Sequence, residues 1–362
     1  MLLAICGTIS KVLHSPLWSV APGISTKLEE LPAMHYWIRE FRLKCRKSSP
    51  ESHELLFHLW TSPVYMPLML NLKNLHTFVA VGPKLWTGAT TNTFLSKTHT
   101  TLFRTLSKLH TLRELVFKDW SVDLLILRPF LICPPQLYSI TFVDGFALDT
   151  PNTVQFSIPT SVPSPFLNNL TFVHEVPKLQ HILPPDSLQS LHSLRLFYLA
   201  LWGTTDAISF LLKNSSKSLR SFVFETKPAP QYPQWRTQQA INTLFDSWDM
   251  SQMVALRSLQ VNVTATNKMT VAILERARTL PIEELTLNVK LRNERRDFRR
   301  HDLADVDDVF RGTGFQSLRF IRMVCVEAPG LTQAWEKMQE LLPYLSARMR
   351  GIIRVDIIDY PH

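Results

Sequence analysis

The sequence predicts an α/β fold in which short parallel strands alternate with helices or loops and stack as a curved solenoid, strands on the concave side and helices and loops outside. Three observations carry that reading. A motif of the form apolar-x-x-apolar-x-apolar returns along nearly the whole chain, the spacing of apolar residues between its copies changes to that of a helix, and the positions between the anchors are mostly polar or charged.

In chain order the motif is anchored at Ile38/Phe41/Leu43, Leu75/Phe78/Ala80, Leu112/Leu115/Phe117, Leu137/Ile140/Phe142, Leu167/Leu170/Phe172, Leu191/Leu194/Leu196, Leu219/Phe222/Phe224, Leu256/Leu259/Val261, Ile282/Leu285/Leu287 and Leu318/Ile321/Met323. The last two anchors of each copy are two residues apart, so they share one face of a strand, and the first tucks the chain beneath it. Helical spacing intervenes at Leu102/Leu106/Leu109, Ile208/Leu211/Leu212 and Ile241/Leu244/Phe245/Trp248. Helix starts are expected at Ser49, Ser121 and Thr205, and Gly312 is expected to close a helix carrying Val306, Val309 and Phe310. At the C-terminal end an amphipathic helix with Trp335, Met338, Leu341, Leu342 and Leu345 precedes a strand with Ile353, Val355 and Ile357, a pair expected to cap the array.

A doubly wound enzyme fold also alternates strands and helices. It would bury its strands on both faces and carry a Gly-rich phosphate turn, whereas pairs such as Arg113-Glu114, Asn168-Asn169, Arg257-Ser258 and Glu283-Glu284 leave one face wet. The ten glycines form no such turn. With 362 residues, 45% of them hydrophobic, the chain can bury a large core. Lys and Arg total 39 against 30 Asp and Glu, a net +9 that suits acidic partners. Cys6, Cys45, Cys133 and Cys325 lack zinc-site spacing and read as reduced thiols. The apolar stretch MLLAICGTI has no basic residue ahead of it, and no later run approaches the ~20 apolar residues of a membrane span. A cytoplasmic or nuclear protein without a membrane segment is expected.

The segments LHTLRELVF, LHSLRLFYL, SLRSFVF, ALRSLQVNV and PIEELTLNV resemble the leucine-rich-repeat region of fungal F-box proteins, over roughly residues 36 to 358. That resemblance implies an N-terminal segment, 1–35, followed by one degenerate leucine-rich-repeat domain, 36–362. It also implies a protein-binding function, the selection of substrates for a ubiquitin ligase through a Skp-type adaptor. The F-box itself is not recognisable, since Leu31-Pro32 is followed by Ala33 and not by an acidic residue. A repeat-only interaction protein with no ubiquitin link is the alternative, and an enzyme with an unrecognised site is the third reading.

No catalytic or cofactor signature stands out, so the expectation is a binding protein, not an enzyme, with no cofactor and no metal. His174, Glu175 and His181 share no helical register. The basic run from Lys290 to His301 is followed at once by Asp302, Asp305, Asp307 and Asp308, so local neutralisation is expected and nucleic-acid binding is not. The sharper candidate is the residue after each first anchor. Arg39, Arg113, Arg220, Arg257 and Arg319 occupy it in five copies, and Arg42, Arg195 and Arg322 add cations on the wet face. Aligned guanidinium groups suit carboxylates or phosphorylated segments of a protein partner. The loops 144–166 and 226–235, rich in proline and aromatics, are further candidates for recognition.

Overall fold

The computed structural model describes residues 39–44, 72–81, 108–118, 122–123, 131–132, 134–143, 147–148, 166–174, 176, 183–199, 205–226, 243–244, 249–263, 268–290, 300–312, 314–326, 331–348 and 352–358. The chain divides into two compact units, Met1–Leu188 and Gln189–His362. Each is built on an open, all-parallel sheet.

In the first unit the sheet runs β1 (Glu40–Lys44), β2 (Thr77–Val81), β3 (Glu114–Lys118), β5 (Ser139–Val143) and β7 (Asn169–Val173), each strand paired with the next. Two short strands, β4 (Val122–Asp123) and β6 (Ala147–Leu148), pair separately. Parallel neighbours cannot be joined by a hairpin, so the chain must cross back between strands. The register keeps like anchors together. Leu115, Ile140 and Leu170 pair in one file, and Phe117, Phe142 and Phe172 in the next. All six are buried, and the three phenyl rings stack with centroids 5.4 Å apart at each step.

The second unit orders β8 (Ser193–Leu199), β9 (Ser221–Thr226), β10 (Ser258–Val263), β11 (Glu284–Lys290), β12 (Phe320–Val326) and β13 (Ile353–Ile358) in the same way. Its helices are α1 (Thr205–Ser215), α2 (Lys268–Ala277), α3 (Arg300–Val309), α4 (Leu331–Leu341) and α5 (Pro343–Arg348). Helices α2, α3 and α4 pack in succession on one another, and α4 packs on β13. Apolar residues at helical spacing, among them Ile208, Leu211 and Leu212 on α1 and Ile273, Leu274 and Ala277 on α2, are buried with the strand anchors.

The anchors behave as the motif requires. Of those whose side chains are described, all are buried except Leu318, which is half-buried. Ile38 lies outside the described residues, and Phe41, Leu43 and Ala80 take their places on strands. The structure adds an anchor that the motif omits, three residues ahead of the first. The N–H groups of Leu75, Leu112, Leu137, Leu256 and Leu318 donate to the carbonyls of Leu72, Leu109, Pro134, Met253 and Phe315, closing a tight turn below each strand. Leu72, Leu109, Met253 and Phe315 are themselves buried. At the last of these turns a Cβ on Gly314 would lie 2.6 Å from the Arg278 Cβ, so only glycine lets the two backbones meet.

Two local expectations change. Ser121 does not start a helix at Asp123, because Val122 and Asp123 form β4. The helix expected around Trp335 to Leu345 is two helices, α4 and α5, broken before Pro343, whose missing N–H and fixed φ suit the first position of a new helix. Asp307 on α3 secures that start: its carboxylate accepts from the N–H groups of Tyr344 at 3.0 Å and Leu345 at 2.9 Å. The cap expected at Ser49, the helically spaced residues Leu102, Leu106, Ile241, Phe245 and Trp248, and the segment 1–35 lie outside the described residues.

Two outcomes test this core. Phe142→Ala removes the middle ring of the stack and should cost about 3–5 kcal/mol in denaturant unfolding; a loss below about 1 kcal/mol would contradict a packed file there. Cys325 on β12 is fully buried, and burial pushes its thiol up to about 11. The folded thiol then keeps its proton where the unfolded chain has lost it, so this group lowers stability as pH rises from about 9 to about 11, by roughly 2–3 kcal/mol. Wild type should lose stability across that window more steeply than Cys325→Ala.

Candidate functional site

The residue after each first anchor is held by a repeated backbone contact. In the first unit the carbonyl of Arg39 accepts from the N–H groups of both His76 and Thr77, that of His76 from Arg113 and Glu114, that of Arg113 from Tyr138 and Ser139, and that of Tyr138 from Asn168 and Asn169. In the second unit the carbonyls of His192, Arg220, Arg257 and Glu283 each accept in the same way from Arg220/Ser221, Arg257/Ser258, Glu283/Glu284 and Arg319/Phe320. All these bonds are 2.8–3.1 Å long. Each unit therefore has a rim file in which the residue at one strand start is fixed against the next at the strand spacing, about 4.8 Å. The first file reads Arg39, His76, Arg113, Tyr138, Asn168, and the second His192, Arg220, Arg257, Glu283, Arg319.

Arg39, Arg113, Arg220, Arg257 and Arg319 are all exposed. The structure thus brings the sequence-predicted arginines of each unit into one file. It also distinguishes among them. Glu283 stands between Arg257 and Arg319 and reaches both, at 3.4 Å and 3.6 Å. Arg257 is further held by the carbonyls of Val254 at 3.0 Å and Leu256 at 3.2 Å. The side chain of Arg220, next along, makes no hydrogen bond or ion pair among the described residues, and neither does that of Arg113. In the first unit Arg113 borders an open depression of about 460 Å3 with His76, Thr77, Glu114, Gln136, Tyr138 and Asn168. Tyr138 is 43% exposed there, and Thr77 donates to Glu114 at 3.2 Å.

The three wet-face cations part company. Arg195 on β8 is exposed. Arg42 lies on β1 opposite Val79. Arg322 on β12 is exposed but is bonded to Asp356 on β13, which also takes Arg354 at 2.9 Å. The Arg322 hydrogen bond is the main reason the Asp356 carboxyl sits below the usual range, with Arg354 adding to it. Sequence reasoning missed Asp356, because only the β12–β13 register makes it a neighbour of a residue 34 positions away.

The acidic stretch after the basic run has a packing role at Asp307, as described, and Asp308 pairs with Arg311 at 2.8 Å. Burial raises the Asp307 carboxyl despite the two backbone N–H groups that favour its charge. Cys45, Glu175, His181 and most of both proline-rich loops lie outside the described residues; His174 adopts φ 75° at the end of β7. Among the described residues no group of three His, Cys, Asp or Glu side chains is placed to hold a metal ion, and no helix is long and apolar enough to cross a membrane. No family model matches the chain, and no curated protein matches it.

Glu283 is a surface residue whose pairs are solvent-screened, so Glu283→Gln should change unfolding stability by less than about 1 kcal/mol. A larger loss would give Glu283 a structural role.

Proposed function

We propose that the chain is a leucine-rich-repeat scaffold that binds another protein through its strand-start rim, taking carboxylates or phosphorylated groups of that partner. The observation that supports this best is the second file, where Arg220, Arg257 and Arg319 are held in line by backbone bonds and opposed by one carboxylate, Glu283. The backbone bonds set the arginines at the strand pitch, and each guanidinium offers a planar fork of donors to an anion. Glu283 shows what kind of group fits: a carboxylate bridging guanidiniums two strands apart. It also competes with a partner for Arg257 and Arg319, while the Arg220 side chain is unopposed among the described residues.

The resemblance to fungal F-box proteins extends the reading to substrate selection for ubiquitin transfer, in the cytoplasm or nucleus, with no catalytic role for the chain itself. A repeat-only interaction protein is favoured instead by Leu31-Pro32-Ala33, which lacks the acidic residue of an F-box opening. Pull-down with a Skp-type adaptor separates the two: recovery at micromolar protein supports the ubiquitin link, and none removes it.

The rim is tested with a glutamate-rich peptide at low salt. Replacing Arg113, Arg220 and Arg257 together with Gln should weaken binding by about tenfold or more, and Glu283→Gln should strengthen it several-fold by freeing two cations. Equal affinity across all three proteins would discard the rim.

A further inference from the structure

A second polar feature lies across the strands of the second unit. On β9 the side chains of Phe222 and Phe224 join the core, so Glu225 faces the other way, yet it is only 6% exposed. Gln260 on β10 donates to its Oε1 at 2.9 Å, and Asn288 on β11 donates to the same oxygen. Among the described residues the second carboxylate oxygen takes no hydrogen bond, and the Asn288 Oδ1 is buried with none either. Neither amide carries charge, and no Lys, Arg or His pairs with Glu225 among the described residues. Burial accordingly outweighs the two amide donors and raises its carboxyl.

The same sheet shows how a carboxylate in this position is answered when the chain supplies the means. Asn262, Asn288, Val324 and Asp356 are in register across β10 to β13, and Glu225 adjoins that row on β9 two residues beyond Val223, the partner of Gln260. The row thus has a carboxylate at each end. Asp356 is held by two arginines and lowered; Glu225 has none among the described residues and is raised. What the described residues do not supply at Glu225 is a donor with positive charge. Two neighbouring free acceptors, one of them on a buried carboxylate, are met together by an ammonium or guanidinium group, whereas a neutral donor leaves the charge unanswered.

We propose that Glu225 and Asn288 form a binding site for a cationic side chain, lysine or arginine, presented by the partner protein. The partner's supply of that group rests on the scaffold reading above; the site's affinity for a cation does not. The occupant would enter beside the second Glu225 oxygen and ion-pair with the carboxylate, and the Asn288 Oδ1, covered from solvent, would accept a further N–H once its amide turns toward the cation. A partner carrying both signs of charge, acidic toward the rim and basic toward this row, is the surface that fits the second unit.

The experiment uses the full chain with 15N-labelled asparagine and glutamine, titrated with N-acetyl-lysine methylamide and, as the uncharged match, N-acetyl-norleucine methylamide. The expected result is a saturable shift of the Asn288 and Gln260 side-chain amide signals with the lysine compound alone, weakened about tenfold or more in Glu225→Gln and in Asn288→Ala. Circular dichroism establishes that each variant is folded, and either folded variant suffices. Equal shifts with the norleucine compound, no shift with either, or an unchanged response in a folded variant overturns the proposal. Since the probe carries no anion for the rim, its failure leaves the arginine file standing, and loss of the glutamate-peptide response leaves this site standing.

Discussion

At eight strand starts one backbone oxygen, accepting two N–H groups from the next repeat, holds the rest in place. Because the two donors are consecutive residues at the start of the following strand, they leave that strand a single register. A slip of one residue would break both bonds and turn every anchor to the opposite face, so the hydrophobic pattern and the backbone contact enforce the same answer. The stacked phenyl rings of the first unit and the aliphatic files of the second follow from it, as does the line of side chains along each rim.

The charge pattern of the second unit is read on that frame. At the rim, Arg257 and Arg319 share one glutamate, and the side chain of Arg220 pairs with none among the described residues. On the face, the carboxylates lie at opposite ends of one row, one answered by two arginines and the other by two amides. A scaffold that needed only solubility would have no reason to bury Glu225 beside an amide oxygen without a donor, since both groups cost free energy there.

The anchors were legible because burial at period two with a tucked first residue is a local property, written within six consecutive residues. The rim arginines were legible for the same reason: each is adjacent to an anchor. What could not be read depends on register between distant segments. Arg322 counts as a free cation until β12 and β13 are aligned and Asp356 falls beside it. Glu225, by alternation from Phe222 and Phe224, belongs on the wet side, and nothing local says that Gln260 and Asn288 converge on it. The preference of Pro343 for a first helical position was visible, but the unbroken run of apolar spacing from Trp335 to Leu345 masked it until Asp307 was seen to hold the second helix start. The turn residues Leu72, Leu109 and Met253 were there to find, had the motif been extended three residues upstream.

The double contact at each carbonyl also separates length from position. Successive first anchors within the first unit are 37, 37, 25 and 30 residues apart, yet the rim residues keep one pitch because the hydrogen bonds, not the connecting chain, measure it. Connectors can lengthen or shorten with modest entropic cost while the graduation along the rim stays the same. Such a protein can change what hangs between its strands without recalibrating the ruler that those strands form.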